Sequence, residues 1–128
     1  MDVVGSALVL DAPPSFWGGF DPTTGTITET RHPNCGVRVT DQVLVIETMK
    51  GSSGSASILA EAIRRGTGPA AVVLRESSLA IAIGTLTPEL LYGSPTPYAV
   101  VPAGVFDAIR TGDRLRVSSE GTVERLDG

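Results

Sequence analysis

One junction constrains this chain more than any other feature. Val43-Leu44-Val45-Ile46 is a short β-branched and aliphatic run suited to a buried strand, and Lys50-Gly51-Ser52-Ser53-Gly54-Ser55 follows three residues later. Beyond it, Ile58, Leu59, Ala62 and Ile63 fall on one face of a helix over about 54–65, with Gly66 as its stop. A strand that enters a glycine-serine turn and leaves as a helix aims the helix's first N–H groups at the turn. With them comes roughly half a positive charge from the helix dipole. Such a turn suits a carboxylate, a phosphate or an alkoxide.

The segment Ala70–Leu74 reads as another buried strand, so the junction belongs to a right-handed βαβ crossover. Upstream, Ser6–Leu10 is a strand, and Ser15–Pro22 is a glycine-rich loop with three aromatic residues. After the turn Thr23-Thr24-Gly25, Thr26–Thr30 alternates like a half-buried strand, as in a hairpin. Downstream, Leu79–Leu86 is compatible with helix or strand, Pro88–Tyr92 with one helical turn, and Tyr98–Val101 with a strand. Pro102 suits the start of a short helix through Arg110, and residues 115–125 form a terminal hairpin around Glu120-Gly121. The pattern is mixed α/β, and residues 1–128 read as one domain.

Composition excludes several functions. The net charge is −4, which leaves no basic stripe for nucleic acid. No apolar stretch approaches the roughly 20 residues of a membrane span, and Met1-Asp2-Val3-Val4 lacks the basic start of a signal peptide, so we expect a cytoplasmic protein with no membrane partner. One cysteine, Cys35, and one histidine, His32, fall short of a self-contained metal or iron–sulfur site. Neither G-x-x-x-x-G-K-[ST] nor G-x-G-x-x-G is present, and a G-x-S-x-G elbow centred on Ser53 would need glycine at Ser55.

By composition alone, serines at a strand-to-helix junction most simply cap the helix. On the same basis Arg31-His32 is a solvated loop with His32 against Pro33, the aromatics of Phe16-Trp17-Gly18-Gly19 plug a core, and Cys35 is a small loop hydrophobe.

Taken in order, Ser15-Phe16-Trp17-Gly18-Gly19-Phe20-Asp21-Pro22-Thr23-Thr24-Gly25, Arg31-His32-Pro33 and Lys50-Gly51-Ser52-Ser53-Gly54-Ser55 resemble the small subunit of the aconitase X family. The similarity continues through Leu59–Ile63 and Gly68–Leu74 to Leu91-Tyr92. The resemblance implies a single swivelling β/β/α domain like the mobile last domain of aconitase. It implies a large subunit that holds an iron–sulfur cluster as Lewis acid, and a hydro-lyase active only when both chains meet. Family members dehydrate hydroxy acids, cis-3-hydroxy-L-proline in bacterial types and (R)-5-phosphomevalonate in archaeal types.

Carried over by the resemblance, the family's catalytic serine falls on Ser52, as proton acceptor. A serine hydroxyl takes a proton α to a carboxylate only if its alkoxide is stabilised, here by the Ser53 and Gly54 amides and Lys50. Gly51, Ser53, Gly54, Ser55, Lys50, Arg31 and His32 are expected at the substrate, with Ser53 and Ser55 alternatively capping the helix. Cys35 is given no metal. The few cations near the turn favour cis-3-hydroxy-L-proline over phosphomevalonate as substrate. A reading of another class also remains, a noncatalytic swivel domain that uses the turn as an anion cradle.

Overall fold

The computed structural model describes residues 2–10, 19–29, 32–49 and 53–126. Its centre is a six-stranded sheet in the order β6-β5-β4-β1-β7-β8, built from β1 (Asp2–Val9), β4 (Val43–Ile46), β5 (Ala71–Leu74), β6 (Tyr98–Val100), β7 (Arg114–Ser118) and β8 (Val123–Leu126). The four strands from β6 to β1 are parallel, and β7 and β8 run antiparallel. A two-stranded hairpin, β2 (Phe20–Asp21) and β3 (Thr26–Ile27), stands apart from this sheet.

Alternation along the strands divides the interior in two. Leu44 and Ile46 of β4 and Val72 and Leu74 of β5 face the helices α1 (Ser53–Arg65) and α2 (Leu79–Tyr92), where they meet Leu59, Ala62 and Ile81. Val43, Val45, Ala71 and Val73 face the other way, onto Leu115 and Val117 of β7 and Ile109, which follows the short helix α3 (Ala103–Ala108). The sheet therefore curls back over its own second face, giving the expected β/β/α layering. Burying a side chain such as Leu59, fully inaccessible here, is worth about 2 kcal/mol.

The expected βαβ unit is β4-α1-β5, with β4 and β5 parallel neighbours. Gly66, at φ 80, ends α1, and the amides of Thr67 and Gly68 return to the Ala62 carbonyl.

Three elements differ from the sequence reading. The strand expected at Ser6–Leu10 begins at Asp2, because Asp2–Ser6 pairs antiparallel with Arg114–Ser118 while Ala7–Val9 pairs parallel with β4. The strand expected through Thr30 stops at Ile27, beyond which the amides of Thr28 and Glu29 both turn to the Gly19 carbonyl. Leu79–Leu86 and the turn at Pro88 form one helix, α2, with Pro88 inside it. The hydroxyls of Thr85 and Thr87 bond back to the carbonyls of Ile81 and Ile83, and Gly93, at φ 67, closes the helix.

Candidate functional site

In a parallel sheet the strands' carboxyl ends lie along one edge, where connections to the helices gather their N-termini. Here β4 leads through residues 47–52 into α1, and β5 leads through residues 75–78 into α2. The two connections are tied to each other. The Glu47 carbonyl accepts the amides of Arg75 at 3.1 Å and Glu76 at 2.9 Å, and the Glu47 carboxylate pairs with the Arg75 guanidinium. That guanidinium also lies 6.0 Å from the centroid of the Phe106 ring, at the reach of a cation–π contact.

Ser78 makes the third tie. Its Oγ accepts the Ile81 amide as the N-cap of α2 and donates to the Met49 carbonyl, each at 3.3 Å. Met49 is itself buried among Leu10, Phe20 and Ile27, so the residue before the Lys50-Gly51-Ser52 turn is held by side chain and carbonyl together. The turn thus starts from a fixed platform. Sequence reading missed Ser78, Glu47 and Arg75; a serine directly before the apolar run at Leu79 was the available signal for the first.

Ser52, Gly51, Lys50 and Arg31 lie outside the described residues, as do the aromatics Phe16 and Trp17 and the side chain of Ser53. The backbone of Ser53 opens α1, and Gly54 follows in its first turn, which carries no acidic residue. Ser55 points into the protein and is 1% exposed. That places its hydroxyl away from solvent.

His32 corrects an expectation. It is 7% exposed, not solvated, and its Nδ1 accepts the Asn34 amide at 3.0 Å within a turn where the Cys35 amide bonds to the His32 carbonyl. The local turn folds the ring inward, which a polar loop sequence conceals. Cys35 is exposed with a free thiol, and among the described residues no group of three or more His, Cys, Asp or Glu side chains is arranged to hold a metal ion.

The cations of α1 sit at its far end. Arg64 forks onto Glu61 at 2.6 and 2.9 Å and Arg65 joins at 3.1 Å. The hydrogen bond from Arg64, reinforced by Arg65, holds the Glu61 carboxyl down at about 2. A recess of about 750 Å3 runs along the outer edge of β6, lined by Leu86, Glu89, Tyr98 and Glu120 among others, and none of the described residues among those expected at the site borders it. No helix among the described residues is long and apolar enough to cross a membrane.

Comparison with known proteins places this geometry in context. A family model described as the aconitase X swivel domain matches residues 1–125. The phosphomevalonate dehydratase small subunit of Methanopyrus kandleri is 33% identical over 111 residues, covering 86% of this chain and 78% of that protein. The cis-3-hydroxy-L-proline dehydratase of Pseudomonas aeruginosa is 39% identical over 85 residues, which are 66% of this chain but only 15% of that protein. The crystal structure of Thermococcus kodakaraensis aconitase X superposes with a TM-score of 0.81 at 26% identity, covering 99% of this chain and 92% of the other.

Proposed function

The chain belongs to the aconitase X swivel-domain family, and from that premise we propose that it is the small subunit of a cytoplasmic hydro-lyase. It supplies the serine base that removes a proton from a hydroxy acid as water leaves. Activity requires a large subunit, which carries the iron–sulfur cluster. This chain does not fit such a cluster, since one exposed cysteine and one buried histidine fall short of its ligand set.

The observation that carries the reading is the run of β4 into α1, whose first residue, Ser53, directly follows Ser52 in sequence, with the connection ahead of α1 tied at Met49 to Ser78, the cap of α2. In this role Ser52 Oγ takes the substrate proton. The helix start and Lys50 lower the cost of its negative charge, and Gly51 and Gly54 let the substrate approach the backbone closely. Ser53 and Arg31 bind the substrate, while Ser55 and His32, both buried, support the backbone around them. A noncatalytic anion cradle would use the same junction with no requirement for the Ser52 hydroxyl.

For substrate, we propose cis-3-hydroxy-L-proline. Among the described residues at this edge the cation is Arg75, already paired with Glu47, which gives little support to a phosphate. Phosphomevalonate is the second reading, favoured by the Methanopyrus kandleri relative, which this chain covers over most of its length.

The test is anaerobic co-purification of the tagged chain with its large subunit, identified by mass spectrometry, followed by assay of both substrates. Turnover of one of them that falls about 10²- to 10⁴-fold on Ser52→Ala supports the reading. Wild-type turnover in that variant refutes Ser52 as the base, and a complex inactive on both substrates refutes the substrate class.

A further inference from the structure

Helix α2 is amphipathic in the wrong sense for a helix that merely covers a core. Its inner stripe is Ile81, Gly84, Thr85 and Pro88, mostly small, while the larger side chains Leu79, Ile83, Leu86 and Leu90 recur at i, i+4, i+7 and i+11 on the outside. Leu79 is 76% exposed and Leu90 73%. The helix carries a single charged residue, Glu89, and no cation. An apolar stripe of this length, rimmed by a carboxylate, marks a surface that another protein covers.

We propose that this outer face of α2 is where the chain docks onto the large subunit, whose matching surface is apolar with an arginine or lysine opposite Glu89. The inference rests on the hydro-lyase reading above and adds the place of assembly. Three observations select this occupant. The stripe starts at the site edge, because Ser78, the cap of α2, is bonded to Met49 just before the turn. A body docked along it therefore lies beside the connection that leads from β4 into α1. The Pseudomonas aeruginosa relative, of which this chain matches 15%, carries its matched region in one polypeptide with a far larger remainder, the kind of body such a face would meet. Finally, Glu89 and Glu120 border the recess beside Leu86 with no cation among its described lining residues, a negative rim that suits a cationic partner surface. A second copy of this chain would bring to Glu89 another α2, which has none.

The experiment measures binding of the anaerobically purified large subunit to the wild-type chain, to the double variant Leu86→Asp with Leu90→Asp, to Glu89→Lys and to Ser52→Ala. Both leucines are exposed, so circular dichroism and the melting temperature of the double variant should match wild type. Its affinity should fall about a hundredfold or more. Glu89→Lys should weaken binding about tenfold, with the loss shrinking at high salt. Ser52→Ala should bind like wild type while losing turnover, which separates the two readings. A double variant that binds like wild type overturns the docking face, even if Ser52→Ala abolishes turnover. So does light scattering that shows a wild-type homodimer broken by the double variant with large-subunit affinity intact. A wild-type chain that binds no large subunit overturns both.

Discussion

The Ser78 hydroxyl bridges the entries to both major helices, donating to the Met49 carbonyl while it caps the Ile81 amide. Replacing it with alanine removes the cap and leaves a buried carbonyl short of a donor. Ser78→Ala should destabilise the domain by about 1–2 kcal/mol, read as a lower urea midpoint at unchanged slope. Because Met49 precedes the turn, the same variant should also lower turnover of the assembled enzyme with little change in partner affinity.

Gly84 lets α2 pack closely on α1. A β-carbon there would stand 2.9 Å from Leu59 Cδ2 and 3.0 Å from the Ala56 carbonyl oxygen. Alanine improves helix propensity by up to about 1 kcal/mol, but the backbone contact cannot swing aside as a side chain would. Gly84→Ala should therefore give a net loss of about 1–2 kcal/mol and Gly84→Val a larger one, measured by thermal melts.

The hairpin turn closes onto the end of α1 through Gly25. Its φ is +74, and a β-carbon would lie 2.5 Å from the Thr67 carbonyl oxygen, the same atom that accepts the Thr40 hydroxyl at 2.7 Å. Gly25→Ala should cost at least about 2 kcal/mol, combining left-handed backbone with a collision. Gly36, also at positive φ but in open space, should cost less when changed to alanine.

Glu61 gives a pH signature. Its carboxyl titrates at about 2 in the folded chain against an ordinary 4.5, because Arg64 and then Arg65 hold the charged form. A depressed folded value means the contribution is complete above 4.5 and fades as pH falls toward 2. The melting temperature of wild type should exceed that of Glu61→Gln near neutrality, and the gap should narrow through that window. Being exposed, the clamp should also weaken in salt.

The sequence made the middle of the domain legible because local signals agree there. The Val43–Ile46 run, the helical spacing of Leu59 and Ala62, and Gly66 as a stop all point to the strand and the helix that the structure contains. Helix α2 was obscured for a physical reason. Its outer leucines remove the polar stripe that periodicity needs, and Pro88 imitates a boundary. The start of β1 was invisible because its partner, β7, is remote in sequence. At the site, Ser52 is named by family resemblance and lies outside the described residues, whereas Ser78 acts through a carbonyl on another connection, a contact that no linear spacing encodes.

That remote pairing also dictates an order of events during synthesis. Strand β1 finds Val43–Val45 early, yet its Asp2–Ser6 half must wait for Arg114–Ser118, far later in the sequence. Until then the domain holds an open backbone edge along Asp2–Ser6. Closing so long a loop slows the final step. The terminal β7–β8 hairpin is accordingly the latch of the domain, and a chain stalled before it leaves the ribosome with a strand ready to pair with a neighbour's.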